Sequence, residues 1–228
     1  MCRGVKVMTG KLIVIEGLDG SGKSTQINIL AERVKEKGLT YKQIKLPNYD
    51  GDSSALVKMY LAGAFGKNPE DVNAYAASAF YAVDRFASFK TIWKDDYEKG
   101  AVILADRYTT SNAYHQMIKQ PEENWDNYIE WLEDFEYNKI GIPKPDLVIY
   151  LDMPVEISQK LMSKRYEGNE SKKDVHEANV AYLNACRKAA SYAAEKMGWV
   201  KIACSDGENA RSIEDIAEEI RTSIERVL

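Results

Sequence analysis

Gly17, Gly22, Lys23 and Ser24 stand in the order G-x-x-x-x-G-K-S within GLDGSGKST (17–25), directly after the apolar run KLIVIE (11–16). The spacing has a mechanism. Glycines let successive backbone N–H groups turn inward around phosphates, and the N-terminus of a following helix adds a positive dipole. Lys23 would reach the β- and γ-phosphates of a nucleotide, and the Ser24 hydroxyl would ligate Mg²⁺. Gly20, Ser21 and Thr25 complete the stretch expected against the phosphates. The alternative is an ordinary glycine turn capping a helix; a four-position match between a strand and a helix favours the phosphate loop. Such a loop can serve hydrolysis, transfer of the γ-phosphate, or sensing.

A second group lies in ILADRYTTSNAYHQ (103–116). A strand would deliver Asp106 to the C-terminal edge of a sheet, where ligands of open α/β sheets bind. Asp106 could hold Mg²⁺ directly or through water, and Arg107 could pair bidentately with a phosphate. The alternative is a strand-end Asp capping the next helix, with an exposed Arg beside it. Two other nucleotide chemistries are excluded by motif. The only Asn-Lys pair, Asn138-Lys139, is followed by Ile140-Gly141 and not by the x-Asp of a guanine reader, and no Leu-Ser-Gly-Gly-Gln signature occurs.

These residues need elements to hold them. KLIVIE (11–16), YKQIKL (41–46), AVILAD (101–106), DLVIYLD (146–152) and WVKIAC (199–204) read as five short strands. Helix-length stretches are expected at about 23–37, 53–64, 70–98, 122–138, 155–166, 174–197 and 212–227. Near-continuous rather than alternating hydrophobicity implies strands covered on both faces, hence a parallel sheet flanked by helices. The polar stretch YEGNESKKD (166–174) reads as a mobile loop between two helices.

The chain has 228 residues, 45% hydrophobic and 29% charged, enough for one core and about one domain (1–228). A net charge of −4 disfavours general nucleic-acid or membrane binding, although basic groups can still converge locally on a nucleotide. Cys2, Cys186 and Cys204 form neither a disulfide framework nor a metal spacing, and are expected as thiols of a cytoplasmic protein. MCRGVKVMTG lacks a signal-peptide core, and translation could begin at Met1 or Met8.

The two phosphate motifs together resemble the thymidylate kinase family. That family pairs Glu-Gly-x-(Asp/Glu)-x-x-Gly-Lys-(Ser/Thr)-Thr with Asp-Arg-(Tyr/His)-x-x-Ser; this chain has Glu16, Gly17, Asp19, Gly22, Lys23, Ser24 and Thr25, then Asp106, Arg107, Tyr108 and Ser111. In FYAVDRF (80–86), Tyr81 and Arg85 share a helix face four residues apart, where the family sets an aromatic ring and an Arg against thymine. IPKPDLVIYLD (142–152) is similar to the family's entry into its fourth strand. The resemblance implies a three-layer sandwich of the phosphate-loop kinase type, with a five-stranded parallel sheet and a short lid at about 163–176. It implies ATP as phosphate donor, Mg²⁺, dTMP as acceptor and dTDP as product. It further implies Asp19 on the acceptor's 3′-hydroxyl, an acceptor pocket including Pro47, Ser111, His115 and Gln116, adenine near CSDGENARS (204–212), and a homodimer formed through helices near 70–98.

Three positions depart from the family pattern. Asn48 and Tyr49 stand where an Arg after strand two is usual, leaving Lys45 and Arg107 for the acceptor phosphate. The phosphate loop carries Gly20 and Ser21 rather than an Arg, so a lid cation is expected. Val175 occupies a common lid-Arg position, which leaves Lys164, Arg165, Lys172 and Lys173, with Arg165 favoured as the catalytic cation beside Lys23 and Arg107. His115 stands where the family has Tyr or Phe. A monophosphate oxygen is already a nucleophile, so the chemistry needs positioning and charge neutralisation rather than a general base. Two other readings remain: a deoxynucleoside kinase on the same scaffold, suggested by the missing strand-two Arg and by Asp50 and Asp52, and a non-catalytic nucleotide sensor.

Overall fold

A computed structural model describes residues 9–165 and 180–228, with Lys164 and Arg165 described for the backbone only. The expected mobile loop, most of the lid, and the candidate cations Lys164, Arg165, Lys172 and Lys173 therefore lie outside the described residues or side chains, as do Met1, Met8 and Cys2.

Strands β1 (Lys11–Gly17), β2 (Tyr41–Lys45), β3 (Val102–Asp106), β4 (Leu147–Asp152) and β5 (Val200–Ala203) form one parallel sheet in the order β2-β3-β1-β4-β5. The five apolar runs thus became the five strands. Period-2 alternation splits the sheet's side chains between two cores. Leu12, Val14, Ile103 and Tyr150 pack on one face with Leu183, Ala189 and Ala190 of a long helix, α8 (Val180–Met197). Ile13, Ile15, Leu104 and Ile149 pack on the other with Ile27, Leu30 and Val34 of α1 (Lys23–Glu36) and Ile216 and Ile220 of α9 (Ile213–Ile224). This gives a three-layer α/β sandwich.

Register decides what meets at the C-terminal edge. Ile15 of β1 and Lys45 of β2 both lie beside Asp106 of β3. Glu16, Gly17, Lys45, Asp106 and Arg107 are thereby gathered at one end of three adjacent strands.

The helices depart from expectation where caps and turns intervene. The stretch expected at 53–64 is a tight turn (Asp52–Ser54) leading into α2 (Ala55–Leu61). The helix expected over 70–98 is broken: a turn at Pro69–Asp71 precedes α3 (Ala74–Ser88), which Asn73 caps by accepting from Ala76 N at 2.9 Å. A widened turn over Phe89–Trp93 then leads into α4 (Lys94–Glu98). A short helix not expected from sequence, α5 (Asn112–His115), follows β3. The expected 122–138 helix is α6 (Trp125–Glu133) continued by a second widened turn, Asp134–Ile140. α7 (Val155–Arg165) follows β4.

Candidate active site

Gly22 caps α1 in the left-handed region (φ 91°), and Gly20 also has a positive φ (79°), so both positions need glycine's freedom. A Cβ on Gly20 would stand 2.9 Å from Ser158 O and 2.9 Å from Met162 Cγ of α7. Lys23 curls back over the loop, donating from Nζ to Gly17 O at 2.9 Å and Leu18 O at 3.0 Å. Burial, with Arg107 close by, lowers its pKa against the pull of Asp19, Asp106 and Glu16. Ser24 Oγ donates to Asp106 Oδ2 at 3.0 Å. This pair of hard oxygen donors suits Mg²⁺, which keeps several waters and takes the rest of its ligands from phosphates. Ser21 Oγ is buried without a partner.

Two clefts adjoin at this point. One, of about 330 Å³, is lined by Gly20, Gly22, Lys23, Ser24, Thr25 and Asp106. The other, of about 230 Å³, is lined by Pro47, Tyr81, Arg85, Ser111, His115 and Gln116 among others. Asp19, Lys45 and Arg107 line both. Gln26 Nε2 of α1 donates to Ile213 O at 3.0 Å, joining α1 to the first residue of α9, directly after the stretch 204–212.

Arg107 occupies the left-handed region (φ 68°), the only described residue other than glycine to do so, and strained backbone of this kind clusters at functional positions. Its Nη2 donates to Asp19 Oδ1 at 2.7 Å, and its Nη1 lies 3.1 Å from Tyr114 OH and 3.2 Å from His115 Nε2. A guanidinium has no lone pair, so Nε2 can only be the acceptor in that contact; the ring's other nitrogen, Nδ1, lies 3.2 Å from Tyr182 OH of α8. Burial disfavours the charged form of Asp19, yet Arg107 and Lys23 outweigh it and hold the carboxyl well below the usual carboxylate range.

Behind this seam lies Glu16, fully buried. It accepts from Tyr108 N at 3.1 Å, Thr110 Oγ1 at 2.6 Å, Ser111 Oγ at 2.8 Å and Tyr114 OH at 2.7 Å. The hydroxyl of Ser111 is thus committed to Glu16 although the residue lines the cleft.

On the far wall, Tyr81 and Arg85 do share one face of α3. Arg85 is buried against Glu136: Nε donates to Oε2 at 3.3 Å, and Nη2 to Oε1. Burial opposes the guanidinium's charge, and the Glu136 carboxylate more than offsets it, so the Arg85 pKa is raised. Asp84, next in sequence, accepts from Asn48 N at 2.7 Å and Ser53 Oγ at 2.6 Å, fixing the loop after β2 that the cis Leu46–Pro47 bond begins. Asn112 Nδ2 and Gln116 Oε1 are buried without partners, and both residues line the acceptor-side cleft.

Sequence reasoning did not single out Asp84, Asn112, Glu136 or Tyr182, and it quoted Glu16 only as part of a motif. A signal existed for two of them. Glu16 directly follows the apolar run LIVI of β1, and Glu136 falls four residues beyond Leu132, continuing the core-facing stripe of α6.

The sequence model described as Thymidylate kinase matches residues 15–220. The chain belongs to the thymidylate kinase family. Among relatives, the probable thymidylate kinase of Thermococcus onnurineus is 33% identical over 157 residues, covering 67% of this chain and 71% of that protein. The thymidylate kinase of Nitrobacter hamburgensis is 34% identical over 162 residues, 71% of this chain and 66% of that one. The solved thymidylate kinase of Candida albicans shares the fold, with a TM-score of 0.70 at 22% identity, over 96% of this chain and 92% of that one. Phosphorylation of thymidylate is the activity of that family, and none of these matches favours a nucleoside kinase or a non-catalytic sensor. No helix among the described residues is long and apolar enough to cross a membrane.

Proposed function

We propose that the two adjoining clefts are the donor and acceptor halves of one centre that passes the γ-phosphate of ATP to dTMP. The observation that carries this reading is the seam: Asp19, Lys45 and Arg107 line both clefts, so cations stand where a phosphoryl group would cross. In this arrangement the loop amides and Lys23 hold the β- and γ-phosphates. Ser24 and Asp106 hold Mg²⁺, which when bound supplies charge neutralisation and a template for the transferring group. Lys45 and Arg107 receive the acceptor's phosphate, Asp19 its 3′-hydroxyl, and Tyr81 and Arg85 its base.

The work is positioning and charge stabilisation. Glu16 ties the residues after β3 to the end of β1, so Arg107 is anchored to the strand that leads into the phosphate loop. The acceptor phosphate needs no base to become a nucleophile. Arg165 is our candidate for the cation that closes over the transferring group.

Exposed Leu56 and Met59 of α2 and Tyr75, Val83 and Phe86 of α3 support a homodimer covering that face. Buried, unbridged Cys186 and Cys204 support a reducing compartment such as the cytoplasm. The continuity of both clefts with one sheet supports residues 1–228 acting as one domain.

The test is an acceptor panel with ATP and Mg²⁺: dTMP, dUMP, dCMP and thymidine. The reading expects turnover of dTMP to dTDP and negligible turnover of thymidine. Preference for thymidine would establish a nucleoside kinase, and binding without turnover of any acceptor would establish a sensor. The Candida albicans enzyme is described as having broad substrate specificity, which makes the panel's breadth informative.

A further inference from the structure

Arg85 and Glu136 form an ion pair with both partners buried, and no other ion pair between described residues is so enclosed. The partners differ in where they stand. Arg85 lines the acceptor-side cleft; Glu136 lies behind it, in the widened turn after α6, and does not reach the cleft. Trp125, Tyr128, Ile129 and Leu132 form the buried stripe of α6, and a further four-residue step places Glu136 where the next apolar side chain would pack. A buried ion pair is weak evidence of stabilisation, because well-packed apolar residues of similar volume often do as well or better. A carboxylate in that slot therefore calls for a role beyond filling the core.

The hydrogen-bond pattern supplies one. Glu136 takes the Nε/Nη2 edge of Arg85, and Nη1 has no hydrogen bond to any described residue. Paired along one edge, the guanidinium loses the freedom to rotate about its long stem.

We propose that Glu136 is a positioning residue for acceptor choice: by gripping the Nε/Nη2 edge of Arg85, it presents Nη1 to the base as a fixed donor. That donor can satisfy the 4-carbonyl of a 4-oxo pyrimidine. It cannot accept from the 4-amino group of a cytosine, which would meet N–H against N–H. A site built to hydrogen-bond one group rejects analogues that leave its buried donors unpaired. The proposal rests on the reading that the acceptor's base lies against Tyr81 and Arg85.

The test compares Glu136→Gln, Arg85→Met and the double variant, with dTMP and dCMP as acceptors at saturating ATP and a thermal melt of each protein. Gln offers one acceptor and one donor where the carboxylate offers two acceptors, so it cannot hold both nitrogens. For Glu136→Gln we expect KM for dTMP to rise ~10-fold, the scale of one charge-assisted hydrogen bond, with kcat within about twofold. KM for ATP stays unchanged, and the dTMP:dCMP ratio of kcat/KM falls ~10-fold. In an Arg85→Met background, Glu136→Gln then has no further effect on either quantity.

A uniform loss with both acceptors, tracking the melting temperature, would make Glu136 purely structural and overturn the proposal. So would an unchanged dTMP:dCMP ratio in Glu136→Gln alongside a lowered ratio in Arg85→Met. An unchanged ratio in Arg85→Met would instead remove the base-reading role of Arg85, and this proposal with it. Should Glu136→Gln not fold, Glu136→Asp keeps the charge but withdraws the carboxylate by one methylene. An intermediate rise in KM with a lowered ratio supports the proposal, and an unchanged ratio overturns it.

Discussion

Asp19 of the phosphate loop holds Arg107 at 2.7 Å across the line where the two clefts meet. The only cation in a left-handed backbone position among the described residues is therefore paired with an anion. An incoming phosphate must share Arg107 with Asp19, or draw it away.

Asp19→Asn separates these possibilities. The variant keeps a hydrogen-bonding group for a sugar hydroxyl but removes the charge that anchors Arg107. We expect kcat/KM for dTMP to fall by ~2 kcal/mol equivalent, on the scale of a hydrogen bond to a charged group. The pH dependence follows from the lowered pKa. A depressed carboxyl contributes stability that is present above its ordinary value of 3.8 and is lost as pH falls through its lower folded-state value. Asp19 therefore stays ionised throughout the working range. The Asn variant should lower the kcat/KM profile without changing its shape above about pH 5; a vanished acid limb would show that Asp19 titrates there.

Arg107→Ala and Arg107→Gly should both lose at least ~2 kcal/mol of transition-state stabilisation, measured as kcat/KM. Their stabilities should diverge. A left-handed conformation costs a side-chain-bearing residue about 1–2 kcal/mol that glycine avoids, so the Gly variant should resist denaturant better than Ala. Equal midpoints would mean that the backbone relaxes once the guanidinium is gone.

Ser24→Ala and Asp106→Asn address the cation. Each removes one hard-oxygen contact, so the Mg²⁺ concentration giving half-maximal activity should rise, with kcat recovering in part at high Mg²⁺. A loss that no Mg²⁺ concentration repairs would place these side chains on the nucleotide rather than on the metal.

Glu16→Gln tests the lock between β1 and the residues after β3. The amide would set its own N–H₂ against hydroxyl or backbone donors that now point at a carboxylate. Unfolding free energy from urea titration should drop by ~2 kcal/mol or more, the cost of leaving buried polar groups unsatisfied. An unchanged midpoint would mean that the surrounding hydroxyls reorient without penalty.

The three inner strands β1, β3 and β4 were legible because each is a short apolar run beside a Gly, Pro or Asp, buried on both faces, whereas the edge strands β2 and β5 carry exposed lysines and one buried residue each. The Ser24–Asp106 pairing was legible as well, since both residues end or follow strands at the same edge. The interrupted helix over 70–98 was not. Its composition is helical throughout, and the breaks fall at a capping Asn73 and at the widened turn over Phe89–Trp93, whose Trp93 packs on Tyr108 after β3 at 6.3 Å, a tertiary contact. Asp84 was hidden for a similar reason. Between Val83 and Arg85 it reads as one more charge on a helix, and only the fold brings Asn48 and Ser53 to it. The partner that fixes Arg85 lies 51 residues away, beyond the reach of local spacing.

Gly20 carries a consequence in evolutionary terms. Its φ of 79° and the 2.9 Å approach of Ser158 O leave no room for a Cβ, so the absence of a cation at this position is enforced by α7. A lineage with this packing cannot recover an arginine here by a single substitution, because the first step collides with a backbone carbonyl. Helix α7 would have to retreat beforehand, a change with no benefit of its own. Position 20 should therefore stay glycine for as long as α7 keeps its place.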